Sequence, residues 1–281
     1  MTLDWPDPGG KPAVGVIGWP VEQSVSPPIH NAVFADLGMD WVYVRLPVPP
    51  GAMSEAMQRL AADEFRGANV TMPHKTAAAE LAAELSEDAA TTKAVNTLVA
   101  SAGGFAGHNT DTPGFANFLR QDTGFDAHGR SALIFGGGGA GRACALALAR
   151  EGIETVFVAV RDRSKGAAVA EVLAGIGVTL RILDINDAAS AGADLVVNAT
   201  PLGTRREHLP APRLGPGIVA VDLVYHPRVT PFLEAARAAG AAAFGGLGML
   251  VHQAALSFEL WTGIVPSLDV MRAAAESAPE S

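Results

Sequence analysis

The sequence has one cysteine, few aromatic residues and no long apolar run. Cys144 is the only cysteine among 281 residues, so the chain cannot form an internal disulfide. We therefore expect a reducing compartment, the cytoplasm. No apolar stretch reaches the ~18 residues that a membrane helix needs. The Pro/Gly-rich start "MTLDWPDPGGK" lacks the basic and apolar regions of a signal peptide. The sequence thus predicts no membrane association.

The sequence also lacks an excess of basic residues. Its formal net charge is −9 and its pI about 5.2. An acidic chain repels nucleic acid and anionic membrane surfaces. We therefore expect a small-molecule substrate and no nucleic-acid partner. No feature distinguishes a monomer from a homodimer.

Short apolar segments alternate with segments of helical spacing along most of the chain. "AVGVIG", "WVYVRL", "SALIF" and "TVFVAV" are typical of strands, and "PPIHNAVFADLG" and "AGRACALALAREG" are typical of helices. This alternation predicts an α/β fold of parallel βα units. The stretch 94–108 predicts a hairpin that turns at Gly103 and Gly104. The length favours about two domains, with a boundary near 114–121, and leaves open on which domain the last helices pack.

A glycine loop follows the apolar strand "SALIF" and opens a helix. Gly136, Gly138 and Gly141 form G-x-G-x-x-G. These positions suit a tight turn, an approaching pyrophosphate and close helix–strand packing, and the helix N-terminus attracts phosphate. A P-loop would need Lys and Ser or Thr next, but Arg142 and Ala143 stand there. We therefore predict a Rossmann-type dinucleotide-binding domain.

The residues after the next strand bear on the choice between NADP and NAD. Arg161 follows that strand, and a cation there suits the 2′-phosphate of NADP. Asp162 is adjacent, and a small shift in register would place it where NAD-binding proteins carry an acid. The sequence favours NADP and leaves NAD possible.

Hydride transfer to a ketone also requires a proton donor, and two common donor systems are missing. The chain has two tyrosines, Tyr43 and Tyr225, and neither is followed by lysine four positions on. This excludes a Tyr-x-x-x-Lys mechanism, including that of a methylene-tetrahydrofolate-type dehydrogenase. A single cysteine and seven scattered histidines argue against a zinc site, and we predict no metal.

Polar residues instead follow several predicted strands of the first half. Ligands of parallel sheets bind beyond the carboxyl ends of the strands. The polar candidates there are Ser24, Ser26, Asn69, Thr71, Lys75, Asn96, Asn109 and Asp111. With Pro27 in the first helical turn, Ser26 is a natural N-cap.

Lys75 lies where "GANVTMPHK" turns from a strand into a helix. Pro73 fits the first helical position, which puts Lys75 in the first turn. Our hypothesis is that Lys75 donates the proton to the substrate's carbonyl oxygen and that Asp111 orients it and assists.

With these segments identified, the chain resembles the shikimate dehydrogenase family from Gly15 to Gly263. The similarity lies in motifs that occur in the family's order: "VIGWPVEQSVSPPIHN", "GANVTMPHK", "AVNTL", "GHNTDTPG", "GGGGAGRA", "NATPLG", "VDLVYHPRVTPFLEAA" and "GLGMLVHQAALSFELWTG". The resemblance implies reversible NADP-dependent reduction of 3-dehydroshikimate to shikimate, in aromatic amino acid biosynthesis. It also implies a substrate domain of residues 1–115 plus 247–281 and a cofactor domain of residues 116–246.

The resemblance further implies a role for individual residues. The catalytic pair would be Lys75 and Asp111. The substrate ligands would be Ser24, Ser26 and Tyr225 for the carboxylate, and Asn69, Thr71, Asn96, Gln253 and Asp111 for the ring hydroxyls. The cofactor residues would be Gly136, Gly138, Gly139, Ala140, Gly141, Arg161, Asn198, Thr200, Gly246 and Met249.

The chain departs from the family's usual residues around the cofactor loop. Val160 and Asp162 flank Arg161 where the family usually carries Asn and Thr or Ser. Quinate dehydrogenase activity, or dual quinate and shikimate activity, with NAD therefore stays an alternative. A non-enzymatic paralogue that binds a metabolite is a further one, against which intact Lys75 and Asp111 argue.

Overall fold

The computed structural model describes residues 3–279 and contains two six-stranded sheets. Its contacts divide the described chain into two compact units, residues 3–110 with 251–279, and residues 111–250. The predicted domain boundaries lie close to these divisions. They fall after residue 115, within the first helix of the second unit, and after residue 246. The predicted division into domains stays a prediction.

The first unit is built on a mixed sheet in which parallel strand pairs predominate. The strand order is β2-β1-β3-β5-β6-β4; β5 runs antiparallel to β3 and β6, and the other neighbours are parallel. The predicted hairpin is confirmed as β5–β6. The strands are β1 Ala13–Gly18, β2 Val42–Pro47, β3 Gly67–Val70, β4 Glu84–Leu85, β5 Thr97–Ser101 and β6 Gly104–His108.

Helices connect and cover the strands of the first unit. They are α1 Ser26–Asp36, α2 Met53–Ala62, α3 Lys75–Leu81 and α4 Glu87–Thr92, with α10 Leu268–Ser277 and most of α9 Leu247–Thr262 added from the end of the chain. The apolar core beneath them includes Ile17, Leu46, Leu60 and Leu98, all fully buried. Strand β1 is buried at every position because parallel neighbours pair with it on both edges.

The second unit contains an entirely parallel sheet. Its order, β12-β11-β10-β7-β8-β9, is that of the doubly wound dinucleotide-binding fold, in which the chain reverses direction across the sheet between β7 and β10. The strands are β7 Ser131–Phe135, β8 Thr155–Val160, β9 Thr179–Asp184, β10 Leu195–Asn198, β11 Val219–Asp222 and β12 Ala242–Phe244. The predicted fold class is confirmed.

Helices α5 Asp111–Phe118, α6 Gly139–Arg150, α7 Arg163–Leu173 and α8 Pro231–Ala238 belong to this unit, with a π-turn at Leu119–Thr123 and a 3₁₀ turn at Ile185–Ser190. Small apolar residues along α6, Cys144 among them, are buried in the core. Among the described residues, no helix is both long and apolar enough to cross a membrane.

Candidate active site

The loop after β1 carries the two predicted serines, and both are buried. Ser26 is the first residue of α1, and Val25 precedes it without a side-chain cap, so the predicted N-cap role of Ser26 is wrong. The hydroxyl of Ser24 instead accepts the backbone N–H of Ser26 at 3.3 Å. Helix α1 therefore begins one residue before the predicted start, and the Ser24 hydroxyl serves as the acceptor for its first N–H. Arg45 Nη2 also donates to the Ser24 carbonyl at 2.7 Å and anchors the loop to β2.

The lysine segment differs from its predicted geometry at the proline. Strand β3 ends at Val70, and the N–H of His74 donates to the Thr71 carbonyl at 3.0 Å. This bond closes a turn with cis-Pro73 at its third position. Helix α3 therefore begins after His74, and the prediction of Pro73 as the first helical residue is wrong. Pro73 forms the turn instead of the helix start.

Lys75 is the first residue of α3, so its predicted place in the first turn is confirmed. Its side chain is half-buried. Its carbonyl accepts the N–H of Val95 at 2.9 Å, which ties the start of α3 to the residue before Asn96. Thr71, also half-buried, donates its N–H to Ile17 at 2.8 Å, and its side chain lies against Gly18. These backbone hydrogen bonds hold the turn before Lys75 and the start of α3 next to the end of β1 and the start of β5.

Asn69 on β3 makes a dense set of side-chain contacts inside the first unit. Tyr43 donates its hydroxyl to Asn69 Oδ1 at 2.8 Å. Asn69 Nδ2 donates to the Asn96 carbonyl, to Thr97 Oγ1 and to Ser257 Oγ, at 3.1, 3.1 and 3.0 Å. Both amide donors and the oxygen are therefore engaged by protein. These contacts give Asn69 a structural role inside the unit, and its expected substrate contact stays a prediction.

Asn96 lies just before β5 and is held in one orientation. Its Oδ1 accepts the backbone N–H of Thr110 at 2.7 Å, a group that can only donate. Its Nδ2 donates to Thr110 Oγ1 at 2.9 Å and to Gln253 Oε1 at 3.3 Å. Its own carbonyl accepts the N–H of Val70. Two predicted substrate ligands, Asn96 and Gln253, are thus brought together although 157 positions separate them in the chain.

The expected partner of Lys75 belongs to the other unit. Asp111 is buried and opens α5, where the positive end of the helix dipole favours a carboxylate. It directly follows Thr110, the residue that orients Asn96. Asn109, two positions earlier, donates to Thr92 Oγ1 and to the Ala94 carbonyl, which is a structural role. The pairing of Lys75 with Asp111 stays a prediction.

The glycine loop of the second unit has the predicted division of roles. Gly136 has a φ of +95°, which favours glycine. A Cβ on Gly141 would lie 2.1 Å from the Gly136 carbonyl oxygen, so this position must stay small. A Cβ on Gly138 would meet no described atom within 4 Å, which leaves space over the loop. Gly139 and Ala140 form the first turn of α6, which has no side-chain cap.

A second loop of the same unit reaches the glycine loop. A Cβ on Gly136 would lie 2.9 Å from Thr200 Cγ2, so the segments after β7 and β10 are in contact. Asn198 Oδ1 accepts the N–H and the hydroxyl of Thr200 at 3.0 and 2.7 Å. Asn198 Nδ2 donates to Asp222 Oδ1 at 2.8 Å. Asn198 therefore positions the loop that carries Thr200.

Asp222, at the end of β11, is a fully buried carboxylate that joins three segments. Besides Asn198, it accepts the N–H of Val224 at 3.0 Å and the hydroxyl of Thr230 at 2.5 Å. Burial raises the pKa of this carboxyl above its ordinary value, although its three hydrogen-bonded neighbours oppose that rise. The carboxylate holds the start of the segment that carries Tyr225, which is itself half-buried.

Comparisons with known proteins give one family along most of the chain. A profile described as "Shikimate dehydrogenase substrate binding domain" matches residues 16–98, and one described as "Shikimate 5'-dehydrogenase C-terminal domain" matches residues 246–276. A protein of Methanopyrus kandleri named shikimate dehydrogenase (NADP(+)) is 42% identical over 93% of each chain. The chain belongs to the shikimate dehydrogenase family. The predicted family is confirmed.

Solved structures with the family's fold include more than one activity. Shikimate 5-dehydrogenase from Thermus thermophilus, in complex with NADP(H) and shikimate, is 37% identical, with a TM-score of 0.80 and coverage of 94% of this chain and 98% of that one. Quinate dehydrogenase from Corynebacterium glutamicum, in complex with NAD, is 33% identical, with a TM-score of 0.86 and coverage of 95% and 99%. The fold alone therefore does not separate the two substrates.

The acid beside Arg161 has a structural task in this member of the family. Asp162 Oδ1 accepts the N–H of Ser164 at 2.9 Å and caps α7. Its pKa is lowered, chiefly by the hydrogen bonds to Ser164. Arg161 is exposed immediately before it. The capping bond holds one carboxylate oxygen of Asp162, which weakens the case for Asp162 as a ribose ligand and favours Arg161 as the cofactor contact.

The remaining predicted cofactor residues lie near the start of α9. Gly246 is buried, and a Cβ there would lie 2.4 Å from the Leu223 carbonyl oxygen, so glycine permits this close approach. Met249 is buried in the core of the second unit, beside residues of α5 and α6. The apolar surroundings of Met249 suit an apolar wall better than a hydrogen-bonding role.

Four residues that organise these loops were missed by sequence reasoning. They are Thr97, Thr110, Asp222 and Ser257. Thr97, Thr110 and Asp222 lie inside or beside motifs that the family shares, but a threonine next to a strand end is as typical of a surface strand as of a site. Ser257 also lies inside such a motif, but the side chains that it contacts are 147 to 188 positions away, so no local pattern indicates its role.

Proposed function

We propose that this chain catalyses the reversible NADP-dependent reduction of 3-dehydroshikimate to shikimate. One observation carries the proposal. The chain is 42% identical over 93% of its length to a relative named shikimate dehydrogenase (NADP(+)), and its buried polar side chains gather at the strand ends of the first unit beside Lys75. Such a site suits a polyhydroxylated carboxylate, because buried amides and hydroxyls reject analogues that leave them unpaired.

In this proposal most of the substrate ligands belong to the first unit. Ser24 and Ser26 hold the carboxylate, with Tyr225. Asn96 and Gln253 bind ring hydroxyls, with Thr71 and Asp111. Asn96 Oδ1 accepts the N–H of Thr110, so Asn96 acts as a donor there by turning its long bond to Gln253 Oε1, at 3.3 Å, toward the substrate. Asn69 donates to the Asn96 carbonyl and supports it.

The proton comes from Lys75. The reduction adds a hydride to the carbonyl carbon and a proton to its oxygen, and bound NADPH supplies the hydride. Lys75 donates the proton from its ammonium group to that oxygen, and in the reverse direction the neutral amine accepts it. Asp111 orients the ammonium group. No described group of three or more His, Cys, Asp and Glu side chains could hold a metal ion.

The second unit fits an NADP molecule. The open space over Gly138 and the uncapped N-terminus of α6 suit the pyrophosphate, with Gly136, Gly139, Ala140 and Gly141 shaping the loop. Arg161 suits the 2′-phosphate. Thr200, Gly246 and Met249 line the cofactor's other side, and Asn198 holds Thr200 in place.

The test is a turnover assay with two substrates and two cofactors. Oxidation of shikimate and of quinate is followed at 340 nm with NADP⁺ and with NAD⁺. We expect the highest kcat/KM for shikimate with NADP⁺. A higher value for quinate with NAD⁺ would establish the alternative activity, and no turnover with either acid would favour a non-enzymatic metabolite-binding protein. The cytoplasmic location and the monomeric or dimeric state stay predictions.

A further inference from the structure

We propose that Ser257 is a positioning residue that holds Gln253 in register with Asn96. The inference rests on the proposed function, because it assumes that Asn96 and Gln253 bind the substrate together. Ser257 lies one helical turn after Gln253 on α9 and is fully buried. All the residues that carry the argument belong to the first unit.

The Ser257 hydroxyl meets three segments of the chain at one point. Asn69 Nδ2 on β3 donates to Ser257 Oγ at 3.0 Å. Thr97 Oγ1 on β5 and Thr110 Oγ1, just after β6, lie 2.8 and 3.1 Å from it. Ser257 therefore connects α9 to the ends of three strands of the sheet.

The same hydroxyl also fixes the helical turn that carries Gln253. Ser257 Oγ donates to the Gln253 carbonyl at 3.0 Å. With its single proton used there, the oxygen acts as an acceptor toward Asn69, and the one hydroxyl proton of Thr97 goes either to Ser257 or to Asn96 Oδ1. The direct bond from Asn96 Nδ2 to Gln253 Oε1 is long, at 3.3 Å, and is weak by itself. Ser257 adds a second, indirect link, because its hydroxyl bonds the main-chain carbonyl of Gln253 and contacts the two threonines, Thr97 and Thr110, that touch Asn96.

Asn96 is tied to the same cluster by its amide oxygen. Thr97 and Thr110 place their hydroxyls 3.1 and 3.2 Å from Asn96 Oδ1. Each of these threonines thus touches Asn96 on one side and Ser257 on the other. Without the Ser257 hydroxyl, both threonine hydroxyls can turn toward Asn96 or toward each other. One shared group then no longer positions the Asn96 amide and Gln253.

Loss of this hydroxyl leaves the helix docked. Trp261 Nε1, one turn further along α9, donates to the Leu98 carbonyl at 2.9 Å. Asn69 Nδ2 keeps the Asn96 carbonyl and Thr97 as acceptors. The substitution Ser257→Ala is therefore expected to fold and to disturb the local register of Gln253 and Asn96.

The experiment measures steady-state kinetics of the full chain with Ser257→Ala. We expect the KM for shikimate to rise about tenfold, because two buried substrate contacts lose their mutual alignment. The KM for NADP⁺ should stay within twofold, since the cofactor residues lie in the other unit, and kcat should stay within about threefold, since Lys75 does not touch Ser257. Titration calorimetry of shikimate should give the same tenfold loss in affinity.

A matched control comes from the same helix. Thr262 Oγ1 donates to the Phe258 carbonyl at 2.8 Å, the same kind of bond to the carbonyl one turn back, but it does not join the cluster. Thr262→Ala should leave both KM values unchanged. Thr97→Val removes the other partner of the 2.8 Å contact without losing volume. The double variant Ser257→Ala/Thr97→Val should then raise the shikimate KM by less than the product of the single effects.

The outcomes separate this inference from the proposed function. Wild-type protein without shikimate turnover or binding would overturn both. Active wild-type protein with an unchanged shikimate KM in Ser257→Ala would overturn only the positioning role. Equal rises in the KM for shikimate and NADP⁺ would also overturn it, because they indicate general damage. If Ser257→Ala is insoluble, a rise in the shikimate KM alone in Thr97→Val supports the cluster, and an unchanged value overturns it.

Discussion

At the scale of single residues, two side chains in the first unit carry very different chemistry. Lys75 is half-buried at the start of α3, beside the polar cluster. His30 is fully buried in α1 and stacks on Tyr43, with ring centroids 4.4 Å apart. Neither His30 ring nitrogen has a hydrogen-bond partner among the described residues. The lysine is the proposed proton donor, whereas the histidine acts as an aromatic packing group.

Replacement of Lys75 should affect the chemical step more than substrate binding. In Lys75→Ala we expect kcat to fall at least ~100-fold, because the proton donor is lost. The KM for shikimate should change only a few-fold, since other side chains supply most contacts. Lys11→Ala is the control, because Lys11 pairs with Asp40 on the surface at 2.7 Å. A near-normal kcat in Lys75→Ala would exclude the proposed role.

Replacement of His30 should change how stability depends on pH. Burial lowers the pKa of His30 from 6.5 to about 3. Between these values the unfolded chain is protonated at this histidine and the folded chain is not, so stability is lost as the pH falls below 6.5. From pH 8 to pH 5 this group should lower the free energy of unfolding by about 2 kcal/mol. His30→Phe should lack that loss.

Urea unfolding of the wild type and His30→Phe at pH 8 and pH 5 measures this difference. The exposed His208 provides the control, because His208→Gln should follow the wild type at both pH values. Parallel curves for the wild type and His30→Phe would mean that His30 is solvated or hydrogen-bonded in solution.

At the scale of elements, the glycine loop shows three uses of one residue type. Gly136 provides the left-handed turn, Gly141 avoids the Gly136 carbonyl, and Gly138 borders open space. The loop also packs on the neighbouring βα unit, because a Cβ on Gly137 would lie 2.3 Å from the Lys165 carbonyl oxygen. Position within the loop therefore decides whether an added methyl group harms folding or cofactor binding.

Two alanine substitutions in this loop should affect different properties, the stability of the fold in one case and cofactor binding in the other. Gly141→Ala should lower the melting temperature markedly, because its Cβ would clash with backbone that cannot move aside. Gly138→Ala should keep the wild-type melting temperature but weaken NADP⁺ binding about tenfold, since the methyl group occupies the pyrophosphate's approach. Differential scanning calorimetry and NADP⁺ titration measure the two effects. An unchanged melting temperature in Gly141→Ala would contradict the contact with Gly136.

At the scale of the whole molecule, the net negative charge bears on which ligands the chain attracts. The net charge of −9 opposes nucleic-acid binding, yet the cofactor is also an anion. In the proposed function its binding therefore depends on local groups, the N-terminus of α6 and Arg161. These groups outweigh the net charge because they act at contact distance, whereas the distant carboxylates are screened by salt.

Cofactor choice should be visible as stabilisation of the folded chain. At 100 times its Kd, NADP⁺ should stabilise the protein by about 2.7 kcal/mol. NAD⁺ at the same concentration should stabilise it less, because it lacks the 2′-phosphate for Arg161. Thermal melting with each cofactor measures the difference, and Arg161→Ala should abolish it. A larger shift with NAD⁺ would reverse the predicted preference.

The amino-acid sequence by itself determined the features that depend on near neighbours. The alternation of strands and helices, the β5–β6 hairpin and the glycine loop all follow from patterns within about twenty residues. Motif order was sufficient to recognise the family and to select Lys75, Asn96 and Gln253. These signals are local because backbone conformation and side-chain periodicity are themselves local.

Only the tertiary structure decided which partners each buried polar side chain contacts. Asn69 and Asn96 look alike in sequence, yet Asn69 contacts Tyr43 and Ser257, and Asn96 contacts Gln253. Pro73 lies in a turn because the N–H of His74 donates to the Thr71 carbonyl. Ser257 joined the site through partners 147 to 188 positions away. Such contacts depend on how α9 packs against the strand ends, and no local pattern records that packing.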